Sequence, residues 1–420
     1  MKQSKLFTKT TRDLPKDEAS FNAQTLIRAG FVDKLAAGIY SFLPLGHRVH
    51  EKIKNIVREE MNKIGGQEIF MPALTTKEVW LTTGRWETLD VLFKLAGKDE
   101  KEYALGATHE EIVVPIAKKH VFSYKDLPFS TYQIQTKFRN ELRAKSGILR
   151  GREFSMKDLY SFHTTQEDLD AFYDVAAAAY KKVYERCGLG ERTFFTYASG
   201  GSFSKYSHEF QTLCEAGEDI IYVCDDCQVA VNDEIIEDLK GCCPQCGRAD
   251  LRKEKAIEVG NIFKLGTKFS KPFELAYTDE NGAAKDVIMG CYGIGPSRVM
   301  GTVVELNHDD KGIIWPEEIA PFKVHLLSLN KNEEAEKIYQ SLLDKNIEVL
   351  FDDRDMGAGA KFADADLLGM PYRVVVSEKS LAAGGVEVKK RSESESKVVS
   401  VEEFFSFVIP GRSEAEGKGI

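Results

Sequence analysis

The sequence has no run of about 18 apolar residues, the length that a membrane-spanning helix needs. Its first twenty residues also lack the apolar stretch of a secretion signal. Positive charge is in deficit, because 57 Lys and Arg face 66 Asp and Glu, for a net charge of −9. These absences exclude a wholly basic nucleic-acid coat protein and predict a cytoplasmic chain without a membrane segment, while local basic segments stay open.

Common nucleotide and metal signatures are missing as well. No G-x-x-x-x-G-K-[ST] segment occurs, and Gly357–Lys361 imitates one with the wrong spacing. Gly293–Arg298 lacks the third glycine of a dinucleotide fingerprint. His109-Glu110-Glu111 is not a zinc-protease helix, because residue 113 is valine. A P-loop is therefore excluded, and neither a dinucleotide site nor a zinc-protease site is predicted.

The 420 residues are enough for two to three domains of about 150 residues each. Apolar residues at helical spacing predict one helix over 49–64 and another over 164–190. Residues 67–71 read as a strand that Pro72 confines to the edge or end of a sheet. After residue 321, short apolar strands alternate with helical segments, which indicates a separate α/β domain.

Two alternating runs, 131–141 and 154–160, predict an antiparallel hairpin with one face too polar for a core. Between residues 137 and 157, seven cations face only Glu141 and Glu153, a local charge of +5. We assign the cations to one face and its loop: Lys137, Arg139, Arg143, Lys145, Arg150, Arg152 and Lys157. This favours a polyanionic ligand, with Phe154 placed to stack on a base, over an ordinary solvated face.

Residues 286–306 are predicted to form a strand, a glycine turn over 290–295 and a helix that begins at Pro296. Arg298 then lies in the first helical turn, where exposed N–H groups, the helix dipole and a guanidinium together suit a polyphosphate. Taken alone, the motif fits a glycine corner with a surface arginine equally well.

Two cysteine pairs are separated by fifteen residues, which gives the pattern C-x2-C-x15-C-x2-C. Four thiolates on two tight turns match a structural, tetrahedral zinc site, and the ligands would be Cys224, Cys227, Cys243 and Cys246. Four free cysteines in a surface hairpin are the alternative. Cys242 is adjacent to Cys243 and could be a spare cysteine that is not a ligand. Cys187, Cys214 and Cys291 are isolated and are predicted to be buried as small hydrophobic residues.

Taken together, these segments resemble a class II aminoacyl-tRNA synthetase, and within that class the bacterial kind of prolyl-tRNA synthetase. GGQEIFMP resembles motif 1, FRNE at 138–141 with RGREFSMKDLYSF at 150–162 resembles motif 2, and MGCYGIGPSR at 289–298 resembles motif 3. Five further segments resemble signatures of the prolyl enzymes: LAAGIYSFLPLG, GATHEE, YQIQTKFR, GGSFSKYSHEF and KAIEVGNIFKLGTKFS.

The resemblance implies an α+β fold: an antiparallel catalytic sheet flanked by helices, with a C-terminal α/β anticodon-binding domain. The implied boundaries are 1–320 for the catalytic domain, with a zinc-ribbon-like insertion at 222–248, and 321–410 for the anticodon-binding domain. Residues 411–420 are predicted to be a disordered tail. Dimerisation across motif 1 is implied by the resemblance alone.

The implied reaction uses ATP and Mg²⁺ to turn proline into prolyl-adenylate, then moves the prolyl group to tRNA(Pro). Arg139 and Arg298 are the implied catalytic residues, bridging the proline carboxylate and α-phosphate and holding the γ-phosphate respectively. The implied ATP contacts are Arg139, Glu141, Arg150, Phe154, Gln211 and Arg298. The implied proline contacts are Thr108, Glu110, Arg139, Met156, Asp158, Phe203 and His208. Glu305 and Gln211 are candidate Mg²⁺ ligands.

The family commonly carries a domain-sized editing insertion, whereas only twenty-two residues separate Asn232 from Lys255 here. We therefore expect no editing domain in this chain, and a separate trans-editing protein becomes a candidate partner. In addition, GAGAKF replaces a proline-containing turn of the anticodon domain. Another class II synthetase and a non-catalytic synthetase-like subunit are the alternatives, although the latter typically lacks one of the two motif arginines.

Overall fold

The computed structural model describes residues 1–409 except 17, 99, 143, 145 and 202–205. Within these residues the strands, in chain order, are β1 (Val32–Ala36), β2 (Ile39–Phe42), β3 (Gly66–Glu68), β4 (Leu74–Thr76), β5 (Phe93–Ala96), β6 (Glu102–Leu105), β7 (Phe129–Phe138), β8 (Glu153–His163), β9 (Thr193–Ser199), β10 (Tyr206–Leu213), β11 (Asp219–Cys224), β12 (Val229–Asn232), β13 (Arg252–Gly266), β14 (Ala276–Thr278), β15 (Ala284–Asp286), β16 (Ile288–Ile294), β17 (Val324–Ser328), β18 (Val349–Asp352), β19 (Tyr372–Val376), β20 (Val386–Lys390) and β21 (Lys397–Val399).

The helices of the described residues follow the same order along the chain. They are α1 (Phe21–Arg28), α2 (Pro44–Lys63), α3 (Lys77–Thr82), α4 (Arg85–Thr88), α5 (Glu110–Lys118), α6 (Gln166–Arg186), α7 (Pro296–Leu306), α8 (Asn332–Asp344), α9 (Ala358–Leu368), α10 (Glu378–Ala382) and α11 (Val401–Val408). Both predicted long helices are confirmed as α2 and α6. No helix of the described chain has the length and apolar character that crossing a bilayer requires.

A nine-stranded sheet organises the larger part of the chain, in the order β10-β9-β12-β11-β13-β16-β8-β7-β3. Its pairs are antiparallel except β12 with β9 and β3 with β7. Buried apolar side chains of α2, α6 and α7 pack on one face of the sheet and form the main core. The predicted antiparallel sheet flanked by helices is confirmed.

The strand predicted over 67–71 is shorter than expected and lies at the edge of the sheet, as Pro72 requires. After Glu68 one backbone bond remains, from the Ile69 N–H to the Tyr132 carbonyl at 2.8 Å, and at Met71 side chains replace the backbone partners. The amide oxygen of Gln133 accepts from the Met71 N–H at 3.0 Å, and the amide nitrogen of Gln135 donates to the Met71 carbonyl at 2.9 Å. The polar face of β7 therefore anchors this segment.

The predicted hairpin is confirmed as β7 and β8, paired from Phe129 with Phe162 to Phe138 with Glu153. The assignment of all seven cations to one face is wrong. Lys157 points to the opposite face, is completely buried, and donates to the Tyr180 hydroxyl at 2.6 Å. It lies there because successive side chains of a strand alternate between faces. Arg143 and Lys145 lie outside the described residues.

The glycine-rich segment 290–295 is mostly strand rather than turn, because β16 continues to Ile294 and only Gly295 precedes α7. The glycines serve close packing instead. A Cβ at Gly290 would lie 2.4 Å from the Tyr292 hydroxyl, and one at Gly293 would lie 2.9 Å from the side chain of Asn261. Pro296 begins the helix as predicted.

Residues from Val324 onwards form a five-stranded sheet of order β18-β17-β19-β20-β21 with its own core. The first three strands are parallel, which confirms the α/β texture, and the last two pairs are antiparallel. The first residues of the chain dock on this sheet, since Lys2 bridges Phe351. Residues 411–420, predicted to be disordered, lie outside the described residues.

Candidate active site

One cavity is shared by Arg139, which directly follows β7, and Arg298, in the first turn of α7. Strands β8, β13 and β16 form its floor, so the pairing of distant segments brings the two arginines together. Other predicted contacts also line the cavity: Glu141, Arg150, Phe154 and Met156. The expected juxtaposition of the two guanidinium groups is therefore present.

The Arg139 guanidinium lies 5.3 Å from the centre of the Phe154 ring. Within the described residues it forms no hydrogen bond or ion pair, so its five N–H donors remain available to a ligand. Burial, followed by the charge of Arg298, lowers the pKa of Arg139 below its ordinary value. An anion bound in the cavity would counter both the cost of burying the charged guanidinium and its repulsion from Arg298.

Arg298 is held by the backbone and by one carboxylate. Its Nε donates to the Leu149 carbonyl at 2.9 Å, and one terminal nitrogen donates to the carbonyl and carboxylate of Glu258 at 2.8 and 3.1 Å. Because these contacts leave its other terminal nitrogen available, Arg298 is oriented and can still bind a phosphate.

Glu258 is a site residue that the sequence reasoning missed, although it lies in a segment quoted for the resemblance. Its carboxylate also accepts from the amide of Asn261 at 2.8 Å. An adjoining cavity of about 210 Å³ contains Glu258, Asp219 and Glu218 beside both arginines. The spacing E-x-x-N on β13 is the sequence signal for Glu258 and Asn261. These oxygens suit a hard divalent cation.

Gln211 does not reach the cavity lining directly. It is completely buried, and its amide nitrogen donates to Glu209 at 2.9 Å and to Asp219 at 2.7 Å. Burial, followed by the charge of Glu258, raises the pKa of Glu209 to about 8. Gln211 therefore arranges the acidic groups next to the cavity.

The pair Glu141 and Arg150 spans the two ends of the loop between β7 and β8. Arg150 donates to Glu141 at 3.0 Å and to Glu218 at 3.3 Å. Both residues face the cavity with Arg139. The pair holds the loop ends together in this structure and presents charge to any ligand there.

Thr108 and Glu110 lie at the start of α5 and share a 2.5 Å hydrogen bond. Glu110 is completely buried and contacts Arg85 at 3.4 Å. The thiol of Cys291 also donates to Glu110 at 3.2 Å, so Cys291 is more than the inert buried residue predicted. A buried carboxylate beside a hydroxyl is suited to bind an amine.

His109 connects the Thr108–Glu110 segment to the neighbouring strand β7. Burial, followed by the charge of Lys137, lowers its pKa to about 4, so the ring is neutral. Nδ1 therefore accepts from Lys137 at 2.5 Å, and Nε2 donates to the Pro72 carbonyl at 3.0 Å. Lys137 in turn pairs with Asp158 at 2.9 Å, and Tyr160 and Gln133 donate to the same carboxylate.

Asp158 and Lys137 thus form a buried ion pair that contacts the Thr108–Glu110 segment through His109. Although burial opposes ionisation, the charge of Lys137 and its hydrogen bond hold the pKa of Asp158 below its usual value. The alternation of β7 had placed Lys137 on the polar face, but its role in supporting Asp158 was not predicted.

The placement of His208 in the ligand pocket is wrong. The Tyr173 hydroxyl donates its proton to the Ile262 carbonyl at 3.0 Å, so Nδ1 of His208 donates to that hydroxyl at 2.8 Å. The His208 ring also stacks on Phe195 with centroids 4.4 Å apart. Tyr173 belongs to α6, on the other face of the sheet from Asp158. His208 shares this face with Phe210 because the two are separated by one residue. Phe203 lies outside the described residues.

Glu305, a candidate Mg²⁺ ligand, is also away from the cavity. One of its carboxylate oxygens accepts from the backbone and side chain of Asn22 at 2.9 and 2.7 Å. Its position on α7 is two turns beyond Arg298, on the side that packs against α1. The prediction is corrected because two helical turns, about 10 Å along the axis, separate Glu305 from Arg298, and Asn22 of α1 binds its carboxylate.

The four predicted zinc ligands converge. One ligand atom from each of Cys224, Cys227, Cys243 and Cys246 lies within 4.8 Å of the others, and two sulfurs are 3.7 Å apart. The 3.7 Å separation matches the sulfur–sulfur edge of a tetrahedron with Zn–S bonds of about 2.3 Å. None of the eight cysteines, all of them described, forms a disulfide.

Both cysteine pairs lie on turns of one geometry. The N–H of Gln228 donates to the Cys224 carbonyl, and the N–H of Gly247 to the Cys243 carbonyl, each at 2.9 Å. Gln228 and Gly247 have positive φ values of 54° and 76°. The repeated turn brings two sulfurs to one side and fits soft-metal ligation better than an open surface hairpin.

Residues 93–307 match the family described as tRNA synthetase class II core domain (G, H, P, S and T), and residues 320–409 match the anticodon binding domain. A proline–tRNA ligase of Bacillus cytotoxicus is 34% identical, over 97% of this chain and 99% of the relative. The chain belongs to the proline–tRNA ligase family of class II synthetases. Another member, from Syntrophus aciditrophicus, is 33% identical over 98% of this chain and 99% of its own length.

Two solved members of the proline–tRNA ligase family share the fold. The Giardia lamblia prolyl-tRNA synthetase, in complex with prolyl-adenylate, gives a TM-score of 0.76 at 20% identity, covering 91% of this chain and 75% of that one. The Cryptosporidium parvum enzyme, complexed with L-proline and AMP, gives 0.75 at 18% identity, covering 92% and 73%.

The alignment with the Bacillus ligase is longer than this chain. It extends over 563 positions, whereas 97% of 420 residues is about 407, which leaves about 156 positions without a counterpart here. A difference of this size is that of a domain, as the short segment from Asn232 to Lys255 had suggested.

Proposed function

We propose that the chain ligates L-proline to tRNA(Pro) in two steps. ATP and proline first form prolyl-adenylate and pyrophosphate, and the prolyl group then passes to the terminal ribose of the tRNA. The observation that carries the proposal is the cavity shared by Arg139 and Arg298. The Thr108–Glu110 segment is connected to it next to Arg139, where the Phe138 N–H donates to the Gly106 carbonyl at 3.1 Å. The proposed units are residues 1–320 for catalysis, with an insertion at 222–248, and 321–410 for anticodon binding.

In the first step a carboxylate attacks a phosphorus atom that carries negative oxygens. The two anions repel each other, so positioning and charge neutralisation supply most of the rate enhancement. Arg139 has the free, planar donors to bridge the proline carboxylate and the α-phosphate. No protein nucleophile is needed, and we propose no covalent enzyme intermediate.

The secondary ammonium of proline would bind at Thr108 and Glu110. Glu110 offers a carboxylate in a site without solvent, and Thr108 offers a hydroxyl already directed by that carboxylate. Met156 lines the cavity next to Arg139 and provides an apolar contact for the ring. Asp158 keeps the Thr108–Glu110 segment in place through its ion pair with Lys137, which in turn contacts His109.

ATP would bind in the cavity over strands β8, β13 and β16. Arg298 would contact the γ-phosphate, and the adenine would lie between Arg298 and Phe154. Glu141 and Arg150, at the loop ends, would contact the nucleotide or the acceptor end of the tRNA. Mg²⁺ would take oxygen ligands from Glu258 and Asp219, which line the cavities with both arginines. When bound, it neutralises phosphate charge, while Gln211 arranges the acidic groups.

The cysteine cluster is proposed to hold one structural zinc ion. The four thiolates leave no open coordination position, so the ion would fix the loop before β13 rather than take part in ligation. That strand carries Glu258 and Asn261, so the zinc loop directly precedes a strand that forms the cavity floor.

We also propose that the ligase acts as a cytoplasmic homodimer joined along the motif 1 edge. Strand β3 is the last strand of the sheet, and Phe70, directly after it, is 79% exposed. Phe122 is also exposed. An open sheet edge with apolar side chains is suited to association.

Proline-dependent exchange of pyrophosphate into ATP tests the function, with all twenty amino acids assayed in parallel. The expected result is exchange with proline far above every other amino acid, followed by prolyl transfer to tRNA(Pro). Exchange with another class II amino acid instead, or none with any, would contradict the proposal. The retained arginines argue against the non-catalytic alternative.

A further inference from the structure

We propose that Asn22 is a positioning residue that fixes the returning end of the loop between β7 and β8 and, through it, the guanidinium of Arg298. Asn22 lies in the first turn of α1, outside all three class II motifs, and its exposed fraction is zero. A completely buried amide must have its hydrogen bonds satisfied, so the partners of Asn22 indicate which elements it holds in place.

The partners of Asn22 come from two elements that build the cavity. Its backbone N–H and side-chain nitrogen both donate to Glu305 on α7, at 2.9 and 2.7 Å. The same side-chain nitrogen also donates to the Ser146 carbonyl at 3.1 Å, and the side-chain oxygen accepts from the Ile148 N–H at 3.2 Å. One side chain therefore joins α1, α7 and the loop.

The loop needs this support because its turn is unusual. Ser146 and Gly147 have φ values of 63° and 64°, a left-handed conformation that is unfavourable for serine. A Cβ at Gly147 would lie 2.3 Å from the Asn22 side-chain oxygen, so the turn is pressed directly against the amide. Without Asn22, nothing else described bonds to both the Ser146 carbonyl and the Ile148 N–H.

Leu149, the residue after Ile148, connects the turn at Ser146 and Gly147 to the proposed ATP site. The Leu149 carbonyl accepts from Nε of Arg298 at 2.9 Å. Since Arg298 and Glu305 are on the same helix, the contacts form a closed ring: Glu305, Asn22, Ile148, Leu149 and Arg298. Movement of the turn would move the acceptor that orients the guanidinium, while the proline segment at Thr108 has no contact with this ring.

The inference rests on the proposed ATP contact of Arg298 and is tested in the full-length chain by pyrophosphate exchange. We expect Asn22→Ala to raise KM for ATP by about 10- to 100-fold, the range that a small misplacement of a binding group produces. KM for proline should be unchanged. Gln24→Ala, on the same helix, is the matched control, because its amide bonds only to the Glu18 carbonyl.

A rescue experiment separates positioning from general loss of folded protein. Asn22→Asp keeps the acceptor for Ile148 but opposes two carboxylates, and adding Glu305→Gln restores a donor between positions 22 and 305. The bond to the Ser146 carbonyl stays lost in both variants, so the expected recovery is partial. We expect KM for ATP to rise in the single variant and to fall back toward the wild-type value in the double variant. Titration of active sites normalises each rate to competent enzyme.

The failures of the inference and of the function are distinguishable. Wild-type protein without proline-dependent exchange would refute the proposed function. An unchanged KM for ATP in Arg298→Ala would remove that residue from ATP binding. With those two controls as expected, the inference is overturned if Asn22→Ala matches Gln24→Ala, if KM for proline rises in parallel, or if the double variant shows no recovery.

Discussion

Arg139 and Arg298 line one cavity, yet only Arg298 has a carboxylate partner there, Glu258 at 3.1 Å. Arg139 has the aromatic ring of Phe154 beside it and no anion within hydrogen-bonding distance among the described residues. With Arg150 and Glu141 included, three cations and two carboxylates line the cavity, which leaves one positive charge in excess. The cavity is therefore complementary to a bound polyanion.

We predict that Arg139→Ala lowers proline-dependent pyrophosphate exchange by about 100-fold or more, as expected when a donor to developing charge is removed. The rate of exchange, normalised to folded protein, is the measurement. Arg192→Ala is the control, because Arg192 is exposed and does not line the cavity. Wild-type exchange in the Arg139 variant would remove this residue from its assigned role.

We predict one zinc ion per chain, measured by elemental analysis of the purified protein. Cys243→Ser should lose the metal, because a tetrahedral site with four thiolates depends on every ligand. The adjacent Cys242→Ser offers a closely matched control, since its sulfur contacts only the Lys240 carbonyl. Absence of zinc from the wild type, or its retention in both variants, would contradict the site.

We predict that the enzyme also attaches alanine to tRNA(Pro) and does not remove it. A pocket for proline discriminates weakly against a smaller side chain, because each missing methylene is worth only about 1–3 kcal/mol. Alanine-dependent exchange and the lifetime of alanyl-tRNA(Pro) with purified protein are the measurements. Rapid deacylation by this protein alone would show an editing activity that the short segment 232–255 does not accommodate.

We predict that the free energy of unfolding decreases as pH is lowered from about 6.5 to about 4. Burial lowers the pKa of His208 to about 4, and also those of His50, His109 and His325. In this interval the unfolded chain binds protons that the folded chain excludes, so acid favours unfolding. Each buried histidine contributes about 2 kcal/mol or less at pH 5.

His208→Gln tests this pH dependence and the corrected position of the residue. Urea unfolding at pH 7.5 and pH 5 should show a smaller pH effect in the variant than in the wild type. KM for proline should stay unchanged, because His208 faces Tyr173 on the side of the sheet opposite the cavity. A large rise in that KM alone would return His208 to the pocket.

The sequence predicted well those features that depend on neighbours along the chain. The alternation in 131–141 gave the hairpin, and the helical spacing in 49–64 gave α2. The paired C-x2-C turns gave the cysteine cluster. The same alternation, followed along β8, places Lys157 on the face opposite Lys137.

The errors concern contacts between distant segments. Glu258 became a site residue because β13 pairs with β16 and so passes beneath Arg298. Glu305 was excluded because α1 packs on α7 and provides Asn22 as its partner. Neither relationship has a periodic signal, since each depends on which elements meet in space.

By itself, the sequence determined the long helices, the β7–β8 hairpin, the family membership and the chemical types of the site residues. Local backbone preferences and short motifs act within a few residues and are therefore readable along the chain. Only the tertiary structure decided which face His208 occupies, which carboxylate holds Arg298 and how Lys137 supports Asp158. The reason is physical: strand register and helix packing are set by the burial of the whole core, and a shift of one residue in a strand reverses every side chain on it.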